Sequence, residues 1–251
     1  MLRVLRQRDF ALLWFAGLIS VTGDYMLFIA LPVTVYELTG SAAATGGILI
    51  ASRLPSLVLG SVAGVFVDRW DRKRTMVVAN LVRAPILLLL VAVDSAERVW
   101  IVYVVAFAVA SMGQFFGPAE NALLPRLVGV DHLVPANALN ALNDNLSRLV
   151  GPALGGLVAG WSGLGGIAAV DAASFLVAAG MIAAIGTSTR PEPTPPQDAA
   201  TLTRTWAKVW HEWLAGLRLI RDNRALRVVF GVIAMSGLGE GVMGTAFWVR
   251  R

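Results

Sequence analysis

Cysteine is absent from the 251 residues and histidine occurs twice. Neither disulfides nor thiol chemistry is available, and a histidine-based site has almost no material. Both histidines, His132 and His211, fall in polar segments, and no H-E-x-x-H or G-x-S-x-G run occurs. The signatures of zinc proteases and serine hydrolases are therefore missing, and neither an enzyme, a metal nor a cofactor is expected. Charge is scarce as well, with Asp, Glu, Lys and Arg making up 15% of the chain. No ring of pore-lining charges or filter loop is visible, which counts against a channel.

What the chain has instead is apolar length. Hydrophobic residues make up 57% of it, the mean hydropathy is +0.69, and the apolar residues fall into runs of roughly 20, enough to cross a hydrocarbon core about 30 Å thick at about 1.5 Å per residue. Most of the backbone must then be satisfied inside lipid by helices, which excludes a water-soluble core and predicts an all-α, multi-pass membrane protein. Spans are predicted at 10–33, 43–67, 75–93, 99–120, 138–160, 164–186 and 226–249. The first is too long for a signal peptide and lacks a small-residue cleavage site after a short apolar core, so it reads as a permanent helix.

The net charge of +5 would fit a nucleic-acid partner if the basic residues formed a patch, but most of them lie between the spans. Fifteen of them fall on one side, from Arg3, Arg6 and Arg8 through Arg69, Arg72, Lys73, Arg74 and Arg126 to the Arg190–Arg227 stretch, against Arg98 alone in the opposite loops. The positive-inside rule places the amino terminus and that side in the cytoplasm, in the plasma or inner membrane. Trp14, Trp100, Trp161 and Trp248 fall near span ends, where amphipathic rings favour the headgroup level.

Residues 1–186 thus read as a six-helix bundle, 187–225 as a cytoplasmic linker, and 226–251 as the first helix of an incomplete second bundle. The linker begins with the Pro-rich "TSTRPEPTPPQDAA". Trp206, Trp210, Trp213, Leu217 and Ile220 then form one apolar stripe opposite Arg204, Lys208, Arg218 and Arg221. This is an amphipathic helix suited to the membrane surface or to packing against protein. Sliding the seventh span over the first aligns Ser20, Gly23 and Asp24 with Ser236, Gly239 and Glu240 as S-x-x-G-[DE], either a parallel repeat or a coincidence between two helices rich in small residues.

Two motifs carry a family likeness. "GVFVDRWDRKRT", Gly64 to Thr75, resembles the signature loop of the major facilitator superfamily, with Gly64, Asp68, Arg69, Arg72 and Lys73 on the pattern and Asp71 in place of its second glycine. Gly64 would let helices approach closely, and Asp68 could pair with Arg72 across a tight turn. The resemblance implies a gating latch to a second half; a topology anchor is the simpler alternative. "GPALGG", Gly151 to Gly156, is similar to the core of the motif that marks antiporters in that superfamily. Pro152 would bend the helix, and Gly151, Gly155 and Gly156 would leave a smooth face for helix contact. The wording of "SVTGDYMLFIALPVTVYELTGSA", "FFGPAENALLPRLV" and "ANALNALNDNLSRLVGPALGG" looks like the macrolide-efflux and enterobactin-exporter type.

That likeness implies twelve helices in two halves, of which this sequence shows seven. It also implies a secondary transporter that exports a drug-like or siderophore-like small molecule by alternating access and ion antiport, with protons as the coupling ion. Its partners would be membrane lipid, the substrate, and either the missing carboxy-terminal half or a second subunit. A half-transporter or a nonfunctional or regulatory membrane fragment are the alternatives. Ionisable residues inside spans are expensive and mark function by default. Asp24, Arg53, Asp171 and Glu240 are accordingly the candidates for a substrate or proton site, with Arg53, near the midplane, as counter-charge for a carboxylate. Arg83 lies in the third span without an assigned role.

Overall fold

The computed structural model describes residues 2–67 and 70–187, together with Arg221 and Asn223. Asp68, Arg69, Glu240, the Trp206–Ile220 stripe and the seventh span lie outside the described residues. Contacts divide the chain into two units, Met1–Pro191 and Glu192–Arg251, and everything below concerns the first.

Among the described residues the protein is all helical. The elements are α1 (Leu2–Leu5), α2 (Arg8–Thr39), α3 (Ala42–Val67), α4 (Arg72–Leu88), α5 (Trp100–Val128) and α6 (Leu133–Ala183), with short 3-10 turns at Leu89–Ala92, Ala96–Arg98 and Val130–His132. Five of these stretches are long and apolar enough to cross a membrane. Gly40, in the left-handed conformation at φ 62°, ends α2 and donates its N–H to the Tyr36 carbonyl; a side chain there would strain the cap. At the other basic loop Asp71 accepts a hydrogen bond from the Arg74 N–H at 2.9 Å and so caps α4. The residue that departs from the superfamily signature therefore has a local use, since an aspartate at this position satisfies an otherwise orphaned helix donor.

α6 is a special case. Its 51 residues would span about 77 Å as a straight rod, more than twice a hydrocarbon core. Gly163 interrupts it with φ 62° and ψ −161°, a backbone open to glycine and little else. The partners along α2 show what the interruption does. Leu139 and Asn143 meet Trp14, Ser147 meets Thr22, and Gly151 and Gly155 meet Tyr25 and Met26, so this part of α6 runs in the same sense as α2. Beyond Gly163, Asp171 and Ser174 lie against Gly23 while Gly186 reaches back to Asp9. The element has doubled back.

α2 packs most extensively on α6, α3 on α5, and α4 on both α5 and α6. Apolar helices gain little by leaving lipid for one another, so small residues and hydrogen bonds between helices must supply the association. Both are present on the α2–α6 seam. Trp14 Nε1 donates to the Leu139 carbonyl at 2.8 Å, Asn143 Nδ2 donates to the Trp14 carbonyl at 2.8 Å, and Thr22 Oγ1 donates to Ser147 Oγ at 3.1 Å. Trp14 is thus buried in the bundle rather than placed at the headgroups, whereas Trp100 and Trp161 are exposed. At the end that carries the basic loop, the Asp9 carboxylate accepts from the Gly186 and Thr187 N–H groups and from Thr187 Oγ1. Lys73 Nζ donates to the Ile185 carbonyl at 2.7 Å.

The fourth span is longer than its sequence predicts. α5 continues through Pro118 and Pro125 to Val128, so Arg126, expected in a loop, sits in its last turn. Each proline costs one internal bond, but Leu123, Leu124, Leu127 and Val128 are buried in the core with Phe10 and Met76, and that packing holds the extension in place.

Within "GPALGG" the glycines divide. A Cβ on Gly151 would lie 2.5 Å from Tyr25 Cβ and 2.8 Å from the Thr22 carbonyl oxygen, and one on Gly155 would lie 3.0 Å from Met26 Cα, whereas one on Gly156 meets nothing within 4 Å among the described residues. Gly151→Ala is expected to destabilise the bundle by about 1–3 kcal/mol through overpacking. Gly156→Ala is expected to be neutral or to stabilise it by up to about 1 kcal/mol through helix propensity. Thermal unfolding of the two variants in detergent checks this; equal shifts would contradict the division.

Candidate functional site

Four helices bring polar groups together inside the bundle. α2 supplies Gly23 and Asp24, α4 supplies Asn80 and Arg83, α5 supplies Gly113 and Phe116, and α6 supplies Asp171, Ser174 and Phe175. Asp171 and Asn80 have no exposed surface and Arg83 retains 8%; Asp24 is half-buried. Arg83 feels the attraction of both Asp24 and Asp171, and the two carboxylates repel each other.

The glycines explain how such groups fit. Asp171 lies so close to Gly23 that any side chain there would collide with its carboxylate, and a Cβ on Gly113 would lie 2.7 Å from Arg83 Nη2. Glycine on α2 and on α5 therefore makes the space that the carboxylate and the guanidinium occupy. The Arg83 guanidinium sits 5.1 Å from the Phe175 ring centre and 5.6 Å from that of Phe116, so aromatic faces offset part of the cost of burying a cation.

The polar groups are incompletely satisfied. Ser174 Oγ donates to Asp171 Oδ1 at 2.9 Å, but Asp171 Oδ2, Arg83 Nε and both amide atoms of Asn80 are buried without a hydrogen-bond partner among the described residues. Buried groups left unpaired in a low-dielectric interior are costly. The Asp171 and Asn80 oxygens can accept, and the Arg83 and Asn80 nitrogens can donate, a hydrogen bond to a water or another polar group.

Of the residues expected from sequence, Asp24 and Asp171 are brought together here. Arg53 is exposed on α3, and the cation beside the carboxylates is Arg83. Glu240 lies outside the described residues. Sequence reasoning left Arg83, Asn80 and Ser174 without roles. The available signal was the i, i+3 pair of polar residues, Asn80 and Arg83, inside an otherwise apolar run. In the signature loop, Lys73 holds Ile185, just past the end of α6; among the described residues, Arg72 Nε is buried without a hydrogen-bond partner and a Cβ on Gly64 would meet nothing within 4 Å. Asp68 and Arg69 lie outside the described residues. Gly151 and Gly155 face α2 as described, while Pro152 lies within the unbroken first part of α6.

The family described as transmembrane secretion effector matches residues 2–239. Macrolide efflux protein A of Streptococcus pyogenes is 30% identical over 178 residues, which cover 70% of this chain and 44% of that protein. The multidrug efflux pump Tap of Mycolicibacterium fortuitum is 32% identical over 171 residues, covering 62% of this chain and 39% of the pump. The uncharacterized MFS-type transporter YfiS of Bacillus subtilis is 29% identical over 162 residues, covering 64% and 38%. The chain thus matches about two fifths of the length of these curated relatives.

The shared charge makes a direct prediction. Arg83→Met leaves the buried Asp171 and the half-buried Asp24 carboxylates without their cation and is expected to cost about 3–5 kcal/mol. Combining it with Asp171→Asn should cost at least about 1 kcal/mol less than the sum of the single changes. A double-mutant cycle by unfolding in detergent measures this, and strict additivity would show that the two groups are not coupled.

Proposed function

Because the chain belongs to the transmembrane secretion effector family of the major facilitator superfamily, whose members are transporters rather than enzymes, we propose that it serves secondary active export of a drug-like or siderophore-like small molecule. It is a multi-pass membrane protein. In this reading the described helices form six spans, with α6 supplying the last two as a hairpin about Gly163, and the amino terminus lies in the cytoplasm. Residues 1–186 would be one bundle, 187–225 a cytoplasmic linker and 226–251 the start of a second bundle. The central cavity would be completed by that second bundle, supplied by the same polypeptide or by a second subunit. The signature loop from Gly64 to Lys73, including Asp68 and Arg69, would latch the two bundles in one state.

The observation that carries the reading is the convergence of Asp24, Arg83 and Asp171 between α2, α4 and α6. Two carboxylates share one guanidinium, so the fully ionised cluster carries an excess negative charge inside an apolar bundle. A proton on either carboxylate cancels it, and so does a cationic group on a ligand. Competition between the two for one site is the minimal requirement of proton–substrate antiport, and alternating access follows if the bundles rock about that site. The relatives named as macrolide and multidrug efflux proteins support a macrolide or other bulky apolar compound as the first substrate to test.

In cells that lack other pumps and carry the assembled transporter, macrolide export is expected to fall at least about tenfold in Asp24→Asn, with membrane insertion unchanged. A protonophore is expected to bring the wild type down to the same level. Undiminished export by Asp24→Asn would refute the role of the cluster, and export that survives the protonophore would refute proton coupling.

A further inference from the structure

Asn80 is the one member of the polar group inside the bundle that the export mechanism leaves unused. It stands three residues before Arg83, on the same face of α4, and has no exposed surface. Neither its Oδ1 nor its Nδ2 has a hydrogen-bond partner among the described residues, and the same holds for Arg83 Nε and Asp171 Oδ2. The two oxygens are acceptors and the two nitrogens donors. Ser174 accounts for the other Asp171 oxygen, at 2.9 Å.

Arg83 stands between the other two residues. A helical side chain covers the turn that precedes its own Cα, which for Arg83 is the turn of Asn80, about 4.5 Å nearer the basic loop. On the other side, the Arg83 guanidinium lies 5.1 Å from the ring centre of Phe175, and Asp171, which attracts it, is one turn farther along α6 from the Lys73–Ile185 contact. Apolar clusters close this polar layer at both ends. Phe10, Met76 and Leu123 are buried toward the basic loop, and Leu87 and Ile167 toward the opposite end.

The mixture of donors and acceptors decides what can complete them. A metal cation would serve Asp171 Oδ2 and Asn80 Oδ1 but would face the Arg83 guanidinium. An anion would serve the two N–H groups but would face the Asp24 and Asp171 carboxylates. A small neutral molecule that both donates and accepts answers all four atoms. We propose that Asn80, Arg83 and Asp171 bind buried water, and that Asn80 is the positioning residue of a relay joining Asp171 to the basic-loop side of the bundle. A buried water makes about three hydrogen bonds to otherwise unsatisfied groups, and chains of water pass protons on. Asp171, which has no exposed surface, thereby gains a partner for proton exchange. The relay rests on the proton exchange proposed for the cluster; the water site does not.

Asn80→Leu keeps the branching of the side chain and removes both polar atoms. For a dry, unpaired amide this change would raise stability. With water linking the amide to Arg83 and Asp171, thermal unfolding of the purified chain in detergent should instead show a midpoint at least about 2 °C lower. Combined with Asp171→Asn, the loss should be smaller than the sum of the two single shifts, whereas overpacking by the leucine alone would give additive shifts. A crystal structure of the wild-type chain at a resolution that shows ordered water should place water within hydrogen-bond distance of Asn80 and of Arg83 Nε or Asp171 Oδ2. In the assembled transporter, Asn80→Leu should slow macrolide-triggered proton release at least about tenfold without changing its extent. A raised midpoint, additive shifts, or Asn80 packed without water in the crystal would overturn the water site, and release at the wild-type rate would overturn the relay. No release from the wild type would remove proton exchange at the cluster and the relay with it, and the crystal and the unfolding shifts would still decide the water site.

Discussion

A guanidinium held inside an apolar bundle dictates much of what surrounds it. Arg83 retains 8% of its surface, and keeping a cation there demands opposite charge, polarizable neighbours and physical room. Each demand is met from a different helix. Asp24 of α2 and Asp171 of α6 supply the charge, the Phe116 and Phe175 rings face the cation, and Gly113 of α5 leaves the space. Gly23 does the same for Asp171. The close approach of α2 to both parts of α6 serves this cluster, and the hydrogen bonds from Trp14, Asn143 and Thr22 sustain that approach along the seam.

The all-helical, membrane-spanning character was legible because apolar length is a composition signal that survives without knowledge of packing. Placement inside a span was legible for the same reason, and it marked Asp24, Arg53 and Asp171 as candidates. Azimuth was not. In a soluble helix polar residues mark the outer face, but here the lipid-facing and bundle-facing sides are both apolar, so sequence periodicity scarcely says which way a span is turned. Arg53 and Arg83 therefore looked alike on the page. Only the packing separates them, with α3 presenting Arg53 outward and α4 turning Arg83 inward. The Trp14 ring failed for the same reason, since a tryptophan near a span end fits the headgroup level and a seam between helices equally well. The extension of α5 to Val128 was hidden by its two prolines, which read as breakers until the burial of Leu123 to Val128 is seen to outweigh them.

Glycine gives the structure three distinct uses within a short stretch of α6. Gly151 and Gly155 permit contact with α2, Gly156 and Gly160 leave open floor, and Gly163 reverses the chain. A motif that looks uniform in sequence thus sets a tight seam, a groove and a turn in succession. The seam holds α2, and with it Asp24, beside Arg83 and Asp171.

In the export mechanism proposed above, a ligand taken up at the Asp24–Arg83–Asp171 cluster displaces a proton from it. The direct measurement is the change in proton concentration on adding a saturating macrolide to the purified, assembled transporter in weakly buffered detergent, followed with a pH indicator. The account predicts proton release from the wild type that disappears when Asp24 and Asp171 are both replaced by asparagine. Binding without proton release, or equal release from wild type and the double variant, would contradict it.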